Sequence, residues 1–383
     1  MSGNWAFHNP VRVYFGRGCR GRVAVEMACI PCLVVTSPRG RQRLNNDPVL
    51  CKWANGSQIF WADTIHGNPD LWDVQSEIDR LADCPFKAIV AFGGGSVIDS
   101  AKALAVALST SLVGVTLSEL LTRPEIHKNA KPVQLYAIPS TAGTGSEVTP
   151  FSTIWDYTHN KKHSLTGKAV FPHTALVDPD LTDTLPRDIT LFTGLDAINQ
   201  ALESIWNKNA TPITVELATR ALQLGLQALP KIIEENGGPS ERTRMAECSL
   251  LAGLAISQTR TALCHSISYP LTAHFGVPHG LACAFTMPAV LKLNLSVDDG
   301  RFESLAKCLK GRDASAKDLL NIFNLLIDRL NVCSLVKKHV GEMADIISVS
   351  HEMFTQGRAD NNLADASPEI IRNILTESWF FHG

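Results

Sequence analysis

The sequence predicts two parts, an α/β half in which strands alternate with helices and then an all-α half. Three observations predict this. Up to about residue 185, short apolar runs recur between helical stretches. Each run reads as a strand buried on both faces, the pattern of a parallel sheet covered by helices. Beyond Pro186 the strand-like runs almost vanish and long helical spacing takes over. The domains predicted are therefore 1–185 and 186–383.

The elements follow in order. Val11–Phe15 alternates as a strand does, and residues 21–28 suit a helix. Residues 32–36 form a β-branched run. Residues 73–82 carry Val74, Ile78 and Leu81 on one helical face. Residues 88–92 are a buried strand, residues 96–107 a helix behind it, and residues 135–138 a further strand. In the second half, residues 214–229, 241–263, 316–330 and 367–378 all have helical spacing.

Composition narrows the function. Lys and Arg number 35 against 37 Asp and Glu, a net charge of −2. A nucleic-acid protein usually carries a clear basic excess, so none is expected as partner. No apolar run approaches the ~20 residues of a membrane span, so no membrane partner is expected either. The start shows no basic stretch leading into an apolar one, which suggests a cytoplasmic protein. The ten cysteines are too sparse for a disulfide framework and read as reduced thiols. Cys29 and Cys32 form a C-x-x-C with no second pair, so they read as structural.

The strongest local signal is Ala88-Ile-Val-Ala-Phe-Gly93-Gly94-Gly95-Ser96-Val-Ile-Asp99. A buried strand runs through three glycines into a helix. Glycines admit a phosphate close to the backbone, and a helix N-terminus offers free N–H groups. Ser140-Thr141-Ala-Gly-Thr144-Gly-Ser146-Glu147 is a second small, hydroxyl-rich segment after a strand end. Gly16-Arg-Gly18-Cys-Arg-Gly21 fits the G-x-G-x-x-G fingerprint, but no acidic residue follows about 20 residues on, so it reads as a decoy. The next strand instead runs into Ser37, Arg39, Arg41 and Arg43. A serine with arginines suits the 2′-phosphate of NADP, where an acidic residue would suit NAD.

The second half holds a possible ligand set. Asp196 and Gln200 are four apart on one helical face. His265 falls near the end of the long apolar helix, and His279 lies in a Gly/Pro-framed turn. Such groups can make a mixed N/O site for a divalent metal.

Taken together, Gly93-Gly-Gly-Ser96…Asp99, Ser140 to Thr149, Asp178-Pro, Gly194-Leu-Asp196-Ala and His265-x13-His279-Gly280 resemble the iron-containing, group III metal-dependent alcohol dehydrogenases. The resemblance runs from about Asn9 to the C-terminus. The strings from Gly253 to Cys283, Lys161 to Leu165 and Ala201 to Trp206 look most like the branch that reduces phosphonoacetaldehyde.

The resemblance implies a Rossmann-like dinucleotide-binding domain, an all-helical metal-binding domain, and Asp196, Gln200, His265 and His279 as ligands to Fe2+ or Zn2+. Most of the family has His where this chain has Gln200. It further implies Gly94, Gly95, Ser96, Asp99, Thr141, Thr144, Ser146 and Lys162 at the cofactor, beside Ser37 and Arg39. Tyr269 or His274 would relay the proton. Lys161, His163 and Arg260 are the cations offered to a phosphonate. The expected reaction is reduction of phosphonoacetaldehyde to 2-hydroxyethylphosphonate with NADPH, NADH being possible, in a homodimer. The alternatives are reduction of another small aldehyde and a non-redox enzyme like dehydroquinate synthase.

Overall fold

Among the described residues there are eight strands: β1 (Arg12–Phe15), β2 (Cys32–Thr36), β3 (Ile59–Ala62), β4 (Ala88–Gly93), β5 (Gln134–Pro139), β6 (Phe151–Asp156), β7 (Lys161–Thr166) and β8 (Thr174–Val177). The structure, a computed structural model, describes residues 4–159, 161–235 and 237–381. Two units divide it, Asn9–Thr184 and the chain from Leu185 onward. The boundary lies where the strand pattern stops. One difference from the sequence reading is that the segment ending at His8 joins the helical unit. There the His8 N–H donates to Gln258 Oε1 at 3.2 Å, and Gln258 Nε2 donates to the His8 carbonyl at 2.9 Å.

In the α/β unit, six strands pair in the order β1-β8-β5-β4-β2-β3, all in parallel. Side chains alternate across the sheet, as a pleated strand requires. Leu33, Val35, Ile89 and Ala91 enter one apolar core, and Cys32, Val34, Val90 and Phe92 enter the other. Both faces are covered, which is why these strands read as unbroken apolar runs. From β2 the chain moves outward to β3, and from β4 it moves the opposite way to β5. The reversal between β2 and β4 is the place where such sheets bind ligands, beyond the strands' carboxyl ends.

Four strands were not expected from the sequence. β3 is an edge strand in which only Ala62 is buried, and β8 has four residues. β6 and β7 form a separate antiparallel hairpin, and β7 carries Lys161 and Lys162.

The helical unit begins with Arg187–Ile205, Pro212–Glu234 and Pro239–Thr259. The helix expected over residues 241–263 does not run through. It stops at Thr259, and a second helix, Leu263–Phe275, starts afresh. Arg260 has φ 63° and ψ −178°, a conformation natural to glycine that costs another residue about 1–3 kcal/mol. His265 therefore sits in the first turn of a new helix, not near the end of a long one. Among the described residues, no single helix is long and apolar enough to cross a membrane.

Candidate functional site

The helix Gly95–Ala107 starts directly after β4, at the reversal of strand order. Its N-cap is Gly94, and no side chain caps it. The first N–H groups are thus left for an anion. Gly95 is required by close approach, because a Cβ there would lie 2.6 Å from Thr144 Cγ2. So the glycine turn and the 140–146 loop pack on each other. Asp99 ties them together: it accepts from Ser146 Oγ at 2.5 Å and from the Thr153 N–H at 2.8 Å. Lys102, fully buried, donates to the Thr149 and Phe151 carbonyls at 2.9 and 2.8 Å. Burial brings its ammonium down to about 8, against the pull of Asp99 and Glu147. Burial likewise pushes the Glu147 carboxyl up to about 7. Ser96 Oγ accepts from the Asn68 N–H at 3.1 Å, and Lys162 lies over the Trp155 ring at 5.5 Å. Gly94, Gly95, Ser96, Thr141, Thr144 and Ser146 are brought together, whereas the carboxylate of Asp99 is occupied with protein donors.

The decoy reading holds for a reason invisible in the sequence. The backbone N–H groups of Gly18 and Arg20 both donate to the Asp178 carboxylate, at 3.0 and 3.2 Å. The protein's own anion fills this turn. Around Ser37, the arginines divide. Ser37 Oγ caps the helix Pro38–Asn46 by accepting from the Gly40 N–H at 3.0 Å. Arg41 pairs with Asp63 and stacks over Trp61, and Arg43 donates to the Leu181 carbonyl. Arg39 alone of the three is exposed.

The metal candidates converge in the helical unit. Asp196, His265, His279 and Cys283 each place one ligand atom within 4.8 Å of the others. Asp196 projects from the helix Arg187–Ile205, where Asp196, Asn199, Gln200 and Glu203 make a buried polar stripe at helical spacing. Glu203 does two jobs. It accepts from the Ala262 and His265 N–H groups at 2.8 and 3.1 Å, which starts the helix Leu263–Phe275 without a capping side chain of its own. It also takes the His265 Nδ1 at 2.7 Å, leaving Nε2 to face Asp196 Oδ1 at 3.4 Å. A partner on Nδ1 is what fixes an imidazole as a ligand through Nε2. His279 opens the short helix His279–Phe285, with Nε2 3.9 Å from the same Asp196 oxygen. Gly280 allows this approach, since a Cβ there would meet the Phe192 carbonyl at 1.8 Å.

The donor set fits a divalent ion. Asp196 Oδ1 and Gln200 Oε1 are buried, and no hydrogen bond reaches either. An unpaired buried oxygen is expensive unless something else binds it. Burial would raise the Asp196 carboxyl, but the two imidazoles and Gln200 hold it low. Burial would also raise the Cys283 thiol, yet His265 and His279 bring it down to about 7. Cys283 and Glu203 were not singled out from the sequence. The signals were there, Cys283 four residues past His279 and Glu203 seven past Asp196.

Tyr269 stacks on His279 with ring centroids 6.0 Å apart and 12° between planes. His274 is not brought in. It lies nine residues past His265, about two and a half helical turns and so on the opposite face, and bonds Glu352 at 2.9 Å. Arg260 is exposed, and its guanidinium is held below the usual range by burial of the head group and by Arg358 nearby. In the α/β unit, His163 lies 4.0 Å from Asp156, and Lys161 is exposed on the same strand.

Comparison with known proteins agrees with both halves. Models of the iron-containing alcohol dehydrogenases match residues 10–179, and of that family's C-terminal part residues 190–379. The probable alcohol dehydrogenase EutG of Escherichia coli is 34% identical over 266 residues, 70% of this chain and 66% of that one. A phosphonoacetaldehyde reductase of Streptomyces viridochromogenes is 37% identical over 240 residues, 62% of this chain and 60% of that one. The matches thus span two thirds or less of these two relatives. The crystal structure of a sulfoacetaldehyde reductase from Bifidobacterium kashiwanohense in complex with NAD+ superposes with a TM-score of 0.87 at 26% identity, covering 100% of both chains. With an uncapped glycine turn at the sheet's reversal, a buried cluster of side chains able to hold a metal ion, and family models matching in order along nearly the whole length, the chain belongs to the iron-containing alcohol dehydrogenases.

Proposed function

We propose that this chain reduces a short aldehyde carrying a phosphonate, with NADPH as reductant and a divalent metal at Asp196, His265 and His279. The observation that carries the reading is the buried donor cluster, in which the Asp196 oxygen facing both imidazoles receives no hydrogen bond. A metal bound there would polarise the carbonyl oxygen, and the nicotinamide would supply hydride. The chain's own residues do the rest. Glu203 presents His265 Nε2, and Tyr269 holds the plane of the His279 ring. The open N-terminus of Gly95–Ala107 receives the cofactor pyrophosphate. Ser37, whose hydroxyl hydrogen is still free to donate, and exposed Arg39 take the 2′-phosphate. Tyr269, rather than His274, hands a proton to the product oxygen.

Arg260, exposed in the same unit as Asp196, His265 and His279, is a cation that a dianion would engage by a charge-assisted contact. Two relatives named for aldehydes with an anionic tail, phosphonoacetaldehyde and sulfoacetaldehyde, favour the same class.

Steady-state kinetics of the metal-loaded protein with an aldehyde panel test this. Phosphonoacetaldehyde should exceed propionaldehyde in kcat/KM by about 100-fold, the worth of one or two charge-assisted contacts. Arg260→Ala should remove most of that advantage and spare propionaldehyde. NADPH should be preferred over NADH, and Ser37→Asp should reverse the order. Equal efficiency on both aldehydes would leave a general aldehyde reductase.

A further inference from the structure

We propose that Cys283 is itself a metal ligand, joining Asp196, His265 and His279 at the centre. The inference rests on the metal-assisted reading above and concerns the same site. It starts from the helix His279–Phe285. Residues four apart share a face, so His279 and Cys283 project together. Gly280 lets this face press against the helix that carries Asp196. The result is a Cys283 sulfur with no solvent exposure, 3.8 Å from His279 Nε2. It lies within 4.8 Å of donor atoms on Asp196 and His265 as well. Ligand atoms around one tetrahedral ion with bonds of about 2.0–2.3 Å stand roughly 3.3–3.8 Å apart, so small adjustments bring the four onto one centre.

A structural cysteine packs among apolar side chains, whereas Cys283 faces two imidazoles and a carboxylate. The Asp196 oxygen that faces the same space is buried and receives no hydrogen bond, so a further occupant is called for. Gln200 lies one helical turn beyond Asp196, where its amide interacts with the Asp196 carboxylate while its buried Oε1 receives no hydrogen bond. Thiolate is also the stronger donor. An amide oxygen is neutral and suits hard cations, while a sulfur beside two imidazoles suits zinc or cobalt.

The test uses the full-length protein, stripped of metal and titrated with CoCl2. Cobalt bound to imidazole and carboxylate shows visible d–d bands, and a thiolate ligand adds a charge-transfer band in the near ultraviolet. We expect both in the native protein, both in Gln200→Ala, and only the d–d bands in Cys283→Ser. Should Cys283→Ser fail to fold, X-ray absorption of the native zinc protein gives the same answer, as one sulfur at about 2.3 Å. Visible bands without charge transfer in the native protein would overturn the Cys283 assignment and leave the metal-assisted reading standing. No cobalt spectrum at all would overturn both.

Discussion

Two buried polar clusters, one in each unit, make an instructive pair. In the α/β unit, Arg20 meets Asp178, Asp47 and Asp180 at 2.7, 2.9 and 3.1 Å, and Asp178 also takes the Gly18 and Arg20 N–H groups. In the helical unit, Asp196 is as deeply buried, but one of its oxygens receives no hydrogen bond. The first cluster is closed and the second is open. A closed cluster can hold the fold by itself, whereas an open one that gathers four potential ligand atoms can take an ion. Burial and charge are similar in the two, so neither quantity identifies a site. What separates them is whether each donor and acceptor already has its partner.

Three experiments break or sharpen this contrast. The largest effect should follow His279→Ala, which opens the metal cluster further. Metal content should fall to background, and turnover by about a thousand-fold or more, the several kcal/mol that a Lewis acid contributes. NADPH affinity, read by fluorescence titration, should hold. Turnover that survives with no metal retained would remove the metal from the mechanism.

Asp178→Ala should act in the opposite way. It leaves Arg20 short of a buried partner, which destabilises a fold by about 3–5 kcal/mol. The urea midpoint should drop accordingly, while the metal affinity of the folded protein stays as it was. A midpoint shift of only a few tenths of a molar would mean the cluster is not structural.

The smallest effect concerns Lys102, a closed site of a third kind. Its ammonium is lowered from 10.5 to about 8 by burial. Below pH 8 the folded and unfolded chains both carry the proton, and the burial penalty is fully present. Between about pH 8 and 10.5 the unfolded chain binds a proton that the folded one does not, so this group makes stability rise with pH. Urea midpoints measured across that window should rise more in the native protein than in Lys102→Met. Parallel curves would show that Lys102 titrates normally.

Much of this was legible beforehand. β2, β4 and β5 were placed because strands buried on both faces cannot help being apolar. The glycine turn before Gly95–Ala107 was legible because a close backbone approach leaves no choice of residue. The β6–β7 hairpin was not, since partly exposed strands tolerate polar residues, and the apolar edge strand β3, four residues long, was too short to stand out. Arg41 and Arg43 were read as a 2′-phosphate site, yet Asp63 and the Leu181 carbonyl engage them. Their partners are 22 and 138 residues away in sequence.

The sequence by itself determined the apolar strands, the change of pattern near residue 185 and the glycine turn, and through the family resemblance it singled out Asp196, Gln200, His265 and His279 as candidate ligands. The strands and the turn rest on local physics: periodicity, helix ends and glycine's missing Cβ. Only the tertiary structure decided that the Gly16–Gly21 turn is filled by Asp178, that His274 faces Glu352, that Glu203 aims His265, and that Cys283 joins the cluster. Each of these depends on which side chains meet across long stretches of chain. Hydrogen-bond satisfaction is a property of the folded neighbourhood, and no local pattern records it.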